Sequence, residues 1–402
     1  MPKISKIDTN PQKIEEILNR GVHEVYTKDE LREKLLSGKQ LHLKLGTDVT
    51  GPLLHLGHSV VHRKLHDFQE LGHKVTLIIG DFTTLVGDHS DKVDMRAEST
   101  TEQIKKDEQE YKQQFFKTVM EEQTEIRRNS EWLKDLDFND VIHLAKQFTV
   151  SQLLEREAFM IRYKAQKPIG LDEFLYPLMQ GYDSVALKCD VEFGGTDQTF
   201  NLLAGRKLMP VFGLDPQSAM VMKLLTGSDG RPMGKSLKNY IPVSDNPNDM
   251  FGKIMSIVDE VMFDYFELVT RIPMTEVLEM KQAVDEDGEN PMKFKKILAK
   301  DIVTFYHGPK KAVEAEKEFE NTVQNKEVTE TNTTEVSNRG KMSVLEFLKL
   351  SGASKSNSHI KEVIKQGGVE VDGKKATDFN KVLDFKSGMV VKFGKRTYFR
   401  VK

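Results

Sequence analysis

Apolar residues recur every three to four positions through "LGHSVVHRKLHDFQELG". There Val60, Val61, Leu65, Phe68 and Leu71 share one side of a predicted helix that stops at Gly72. Upstream, "LHLKLG" is a strand-like run ending at Gly46, and downstream "KVTLIIGD" is another. "DVEFGG" and "AMVMKLLTG" repeat the strand character farther along. Strands alternating with helices predict an α/β fold with a mostly parallel sheet covered on both faces. In such sheets ligands gather beyond the carboxyl ends of the strands. Asp48, Asp81, Asp88, Gly194 and Asp197 all fall at predicted strand ends, which favours a site there.

The remaining segments read differently. Residues 1 to about 39 are expected to be helical, with "NPQKIEEILNRG" closing at Gly21 and "TKDELREKLLSG" at Gly38. A long charged stretch from Arg96 to Lys167 also reads as helical, as does Asp245 to Phe319. "EFENTVQNKEVTETNTTEVSNRG" is polar and reads as a linker or exposed loop. Beyond it come two short amphipathic helices, then short strands separated by Gly-containing turns.

A chain of 402 residues allows two or three domains, and 38% apolar with 30% charged residues is the balance of an ordinary soluble protein. No run reaches the roughly 20 apolar residues that cross a bilayer, and "MPKISKIDTN" does not resemble a signal peptide. The single cysteine, Cys189, excludes an intramolecular disulfide and a Cys-rich zinc site, so a reducing cytoplasm is expected. The net charge of −3 hides an asymmetry. From Met342 onward there are 13 Lys/Arg against 6 Asp/Glu, a local +7 beside a body at −10. A basic module on an acidic body fits a polyanionic partner held at one end.

Two short segments carry the chemistry. His55-Leu56-Gly57-His58 opens the predicted helix, near unpaired backbone N–H groups and the positive end of its dipole, which suits a polyphosphate. Met233-Gly234-Lys235-Ser236, in "DGRPMGKSLKNY", supplies a cation on a Gly-containing loop. Each alone has a plainer reading. The His pair could decorate a helix start or be half of a metal site, although no carboxylate or cysteine at ligand spacing accompanies it. The second could be a surface turn, and it is not the phosphate loop G-x-x-x-x-G-K-[ST]. Tyr176, Gln180 and Asp183, spaced four and three apart, share a helical face whose neighbours Leu175, Leu178, Met179 and Val185 make it a buried one. A carboxylate there requires a partner.

Taken together, the two segments resemble the HIGH and KMSKS motifs of class I aminoacyl-tRNA synthetases. With "GDHSDKVDMR", "YPLMQGYDS" and "VEFGGTDQTFNLL" following in this order, the chain resembles the tyrosyl-tRNA synthetases over nearly its whole length. The resemblance implies a tyrosine–tRNA ligase using ATP, with Mg²⁺ held mainly by the phosphates, acting on tyrosine and tRNA(Tyr) as a cytoplasmic homodimer of bacterial type. It implies a Rossmann-like catalytic domain at 1–226 with a helical insertion at about 96–167. A helical anticodon-side domain at 227–325, a linker at 326–341 and a ribosomal-protein-S-four-like RNA-binding domain at 342–402 would follow. It assigns catalysis to His55, His58, Thr50, Lys235, Lys92 and Arg96. ATP would meet Asp48, His55, Gly57, His58, Gly195, Asp197, Met233, Lys235 and Ser236. Tyrosine would meet Gly46, Asp88, Tyr176, Gln180, Asp183 and Gln198, with Asp183 accepting from the phenol. The insertion would form the dimer contact, with Trp132, Leu133, Leu136 and Phe138 as candidates for its buried face.

Three positions depart from the pattern. Pro232 and Gly234 stand where the second motif usually has Lys and Ser, and Arg231 or Lys238 could replace the lost cation. Lys44 stands where one branch of the family places a tyrosine beside the substrate phenol. The alternatives are a class I synthetase for tryptophan and a non-catalytic RNA-binding protein derived from a synthetase. Asp183, suited to a phenol hydroxyl, weighs against the first; His55, His58 and Lys235 weigh against the second.

Overall fold

The buried strand sequences "LHLKLGT", "KVTLII", "VEFGG" and "SAMVM" are too apolar to face water on either side, and each joins the centre of one sheet in the computed structural model. The structure describes residues 7–48, 51, 53–87, 101–234, 237–324, 333–354, 356–394 and 397–402. They divide into two compact units, one of residues up to 246 with 253–302, the other of 247–252 with 303–402.

The sheet of the first unit comprises β1 (Val22–Tyr26), β2 (His42–Thr47), β3 (Lys74–Ile79), β4 (Thr124–Arg128), β5 (Val191–Gly195) and β6 (Ser218–Met222), in the order β1-β6-β5-β2-β3-β4. All neighbours are parallel except β1 with β6. The order reverses between β2 and β5, the switch point where parallel sheets of this kind open a crevice. Helices α1 (Pro11–Asn19), α2 (Lys28–Leu36), α3 (Leu56–Glu70) and α4 (Thr101–Phe115) precede β4. Four short helices follow it: α5 (Ser130–Leu133), α6 (Phe138–Ala145), α7 (Val150–Leu154) and α8 (Glu157–Lys164). The paired helices α9 (Tyr176–Leu187) and α10 (Thr199–Leu208) flank β5. As expected, Val60, Leu65, Phe68 and Leu71 are buried and Gly72 ends the run with φ +96°.

Two strands lie where helix was expected. β1 interrupts the region 1–39, because Gly21, at φ +66°, turns the chain out of α1 and along β6. β4 lies within the stretch Arg96–Lys167; only Ile126 of its five residues is apolar, and parallel pairing with β3 holds it. α3 is anchored from behind. Lys64, buried, donates to the carbonyls of Ile17 and Arg20, and Arg271 forms a two-pronged pair with Asp67 at 2.6 Å.

From Pro247 to Phe319 the described chain is helical, with α11 (Pro247–Met255), α12 (Met262–Val269), α13 (Met274–Asp285), α14 (Pro291–His307) and α15 (Pro309–Phe319). In the second unit, β7 (Thr333–Val336) and β8 (Gly340–Ser343) arise within the stretch expected to be a linker. β7 pairs in parallel with the last strand, whose backbone groups supply what the polar side chains do not. α16 (Val344–Leu350) and α17 (Asn357–Lys365) come next. They lead into β9 (Val369–Val371), β10 (Lys374–Lys375), β11 (Val382–Phe385), β12 (Val390–Phe393) and β13 (Thr397–Val401). Val344, Phe347, Leu348, Ile360, Ile364, Val391 and Phe399 close a core of their own.

Candidate active site

The first motif is built at the start of α3. His55 is its extended N-cap residue, and the His55 backbone N–H donates to Nδ1 of His58 at 3.2 Å. With Nδ1 accepting, a neutral His58 carries its proton on Nε2 and can donate from there. The two rings lie 3.9 Å apart, centre to centre.

The segment that follows the second motif is joined to the first motif by backbone. Leu56 N–H donates to the Ile241 carbonyl at 3.0 Å and Val243 N–H to the Leu54 carbonyl at 3.1 Å, a short antiparallel bridge of His55 with Pro242. Tyr240 leans toward the His55 ring, and a Cβ on Gly57 would lie 3.3 Å from the sulfur of Met233. Segments far apart in sequence thus meet, and a side chain at Gly57 would press on the His55 ring and on Met233. Asn239 secures the second loop, donating to the Pro232 carbonyl and Asp229 while accepting from the Gly234 N–H. Arg231 forms a two-pronged pair with Asp229 at 2.6–2.8 Å. Arg231 is exposed and paired with Asp229, three residues before Pro232. Lys238 is exposed, in the left-handed region at φ +53°.

A second group follows the carboxyl ends of β2, β3, β4 and β5. The Tyr176 hydroxyl donates to Asp48 at 3.0 Å, and the Thr83 hydroxyl donates to the other oxygen of Asp48 at 2.9 Å. Asn129, just beyond β4, donates to Thr83 at 3.2 Å and to Asp183 at 3.4 Å. The Trp132 indole N–H donates to Asp183 at 2.7 Å. Asp48, Tyr176 and Asp183 therefore belong to one network. A Cβ on Gly80 would fall 2.2 Å from Asp48 and 2.3 Å from Thr83, so a side chain there would displace the bond between them. Asp183 is 3% exposed; burial pushes its carboxyl up to about 7, against the pull of Lys44, Trp132 and Asn129.

Beneath Asp183, Lys44 and Glu192 face each other across β2 and β5 at 2.9 Å, both fully buried. Burial alone would lower the Lys44 pKa, but Glu192 and Asp183 hold it above its ordinary value. Gln180 donates from its amide to Glu192 at 3.0 Å. Gly46 is exposed at the end of β2. Past β5, Gln198 donates to Asp197 at 3.0 Å and accepts from Asn201 at 2.9 Å. A Cβ on Gly195 would crowd Asp197 at 2.6 Å. Thr50, Asp88, Lys92, Arg96, Lys235 and Ser236 lie outside the described residues.

Sequence reasoning missed Gly80, Thr83 and Asn129, and read Trp132 only as a candidate for a buried face. The position of Asn129 and Trp132 just past a strand end was the available signal, hidden because β4 itself was not foreseen. Within this chain Leu133 is buried and Phe138 is 79% exposed. Cys189 is no nucleophile: burial pushes its thiol up to about 12, and it donates to Gln217 at 2.8 Å. Among the described residues no group of three or more His, Cys, Asp or Glu is disposed to hold a metal ion, and no helix is long and apolar enough to cross a membrane.

Residues 36–324 match the family model described as tRNA synthetases class I (W and Y). The tyrosine–tRNA ligase of Carboxydothermus hydrogenoformans is 45% identical over 397 residues, 96% of this chain and 97% of the relative. This chain belongs to the tyrosine–tRNA ligase family. That of Moorella thermoacetica is 43% identical over 390 residues, 96% of this chain and 94% of its own length. The tyrosyl-tRNA synthetase of Archaeoglobus fulgidus, solved in complex with L-tyrosine, shares the fold at a TM-score of 0.61 and 22% identity, covering 76% of this chain and 99% of that one.

Proposed function

We propose that this protein activates tyrosine with ATP and transfers it to tRNA(Tyr). The observation that carries the reading is the buried, doubly hydrogen-bonded Asp183 on the same network as Tyr176 and Asp48. A site built to pair a hydroxyl discriminates strongly against an amino acid lacking one, because acceptor capacity of the buried carboxylate beyond its two protein bonds would go unmatched. In this reading Asp183 accepts from the substrate phenol, and Tyr176, Gln180 and Asp88 hold its ammonium. Gly46 lines the pocket and Gln198 sits by the carboxylate.

The tyrosine carboxylate attacks the α-phosphorus of ATP. The new bond joins carboxylate oxygen to phosphorus, and the bond to the bridging oxygen breaks as pyrophosphate leaves. The nucleophile is already ionised, so no general base is needed; catalysis is alignment plus neutralisation of charge on the leaving group. N–H donors of His55 and His58, the Thr50 hydroxyl and the cations of Lys92, Arg96 and Lys235 serve that end. Asp197 binds the ribose, while Asp48, Gly57, Gly195, Met233 and Ser236 line the nucleotide. The phosphates of ATP would hold any accompanying Mg²⁺, whose charge would offset theirs. A terminal ribose hydroxyl of the tRNA then attacks the activated carbonyl and displaces AMP.

The domain roles belong to the same proposal: a catalytic domain at 1–226, an anticodon-side domain at 227–325 and an RNA-binding domain at 342–402, in a cytoplasmic homodimer. Exposed Phe138, Val150, Ile161, Tyr163 and Leu171 support a second copy as the cover for the insertion. The test is pyrophosphate exchange: it should proceed with tyrosine, not with tryptophan, and be lost in Lys235→Ala. Exchange driven by tryptophan alone would overturn the substrate assignment. The basic C-terminal domain should make the KM for tRNA rise steeply between about 50 and 200 mM salt. A flat salt response would remove RNA contact from that domain.

A further inference from the structure

We infer that the buried Lys44–Glu192 pair is a positioning device for the amino-acid subsite, fixing which way the Gln180 amide faces and keeping Asp183 an acceptor. The inference rests on the tyrosine-binding reading above and names what organises that pocket from below.

An amide side chain offers two donors at one end and an acceptor at the other, and nothing intrinsic tells it which end to turn outward. Gln180 is told by Glu192, whose Oε1 takes the amide Nε2 at 3.0 Å. A carboxylate cannot face the amide oxygen without repulsion, so Oε1 of Gln180 is turned away from it. That oxygen is the atom an incoming ammonium needs. Glu192 is itself fully constrained. Its Oε2 accepts from Ser184 at 3.1 Å and from Gln217 at 2.6 Å, and Lys44 stands 2.9 Å from Oε1.

Lys44 adds two further bonds, at 2.8 Å each, to the Gln180 carbonyl and the Ser184 hydroxyl. It therefore grips α9 one turn from Asp183 and delivers a positive charge beneath it. The groups acting on Asp183 come from each side. They are Lys44 on β2, Glu192 on β5, Asn129 after β4, and Trp132 on α5. Of the two ions, Lys44 is the larger influence and favours the ionised carboxylate, while Glu192 opposes it. Both ions sit at the switch point of the sheet, directly opposite each other in register.

The experiment uses the whole chain in pyrophosphate exchange, with KM for tyrosine, KM for ATP and kcat measured from pH 6 to 9. Glu192→Gln removes the charge that orients Gln180 and keeps the shape. Lys44→Met with Glu192→Gln removes both charges, avoiding an unpaired one in the core. Each variant should raise KM for tyrosine about tenfold with KM for ATP unchanged, the size expected for a lost bond to a charged group. In the double variant the acidic limb of kcat/KM for tyrosine should also move to higher pH.

Unchanged KM for tyrosine and an unmoved limb would overturn the inference. Equal rises in KM for tyrosine and ATP, following a fall in melting temperature, would overturn it too, because they mark a merely structural pair. Gln180→Ala and Asp183→Ala serve as controls for the underlying reading. If those leave tyrosine binding intact, the subsite itself is misassigned; if they abolish it while Glu192→Gln does not, only the positioning role fails.

Discussion

Asp183→Ala should lower kcat/KM for tyrosine roughly ten- to hundredfold and erase most of the preference for tyrosine over phenylalanine. A hydrogen bond to a charged acceptor contributes about 1.5–3 kcal/mol, which sets that range. Selectivity falls because alanine has no acceptor left to strand when phenylalanine enters. The loss should appear mainly with tyrosine, since phenylalanine never used the acceptor; kinetics with the two amino acids side by side measure it. A pH effect accompanies this. With its carboxyl raised to about 7, Asp183 is half protonated near neutrality, so kcat/KM for tyrosine should climb from pH 6 to pH 8 and the climb should vanish in Asp183→Ala. The linkage to stability has the opposite sign. A carboxyl holding its proton more tightly when folded than when unfolded costs stability as pH rises from about 4 to 7. A profile flat from pH 6 to pH 8 in the parent protein would show that Asp183 stays ionised there, and unchanged tyrosine kinetics in Asp183→Ala would remove it from phenol recognition.

His58→Ala should reduce the rate of adenylate formation by about 10²–10³ while leaving KM for tyrosine nearly unchanged. That is the size of effect expected when one preorganised donor to a developing charge is deleted. The geometry makes the donor specific: Nδ1 is occupied by the His55 N–H, so donation falls to Nε2. Glutamine, whose amide nitrogen can reach the region of Nε2, should restore part of the rate, and asparagine, shorter by one bond, should not. Single-turnover measurement of adenylate separates this from binding. A fall in tyrosine affinity equal to the fall in rate would mean that His58 shapes the site without stabilising the transition state.

Both predictions concern residues legible in the sequence, and the reason is local. His55 and His58 lie within one turn at the start of a strongly periodic helix, and Tyr176, Gln180 and Asp183 share a face that spacing alone reveals. What stayed hidden depends on which strands lie side by side. Lys44 and Glu192 are ordinary charged residues in sequence; only the adjacency of β2 and β5 makes them a pair. Asn129 and Trp132 reach Asp183 because β4 delivers them there, and β4, "TEIRR", shows none of the apolar alternation of a buried strand. β1 was concealed in the same way, as a short segment between two well-marked helices. Phe138 points to another limit, because periodicity signals a face that needs covering without saying whether this chain or another covers it.

The bridge between Leu54–Leu56 and Ile241–Val243 has a thermodynamic consequence. Residues held in one hydrogen-bonded ladder open and close together, as a single cooperative unit. Mild denaturant that frays this bridge should therefore loosen the turn of His55 together with the chain around Ile241, and catalytic power should be lost in one step instead of eroding residue by residue.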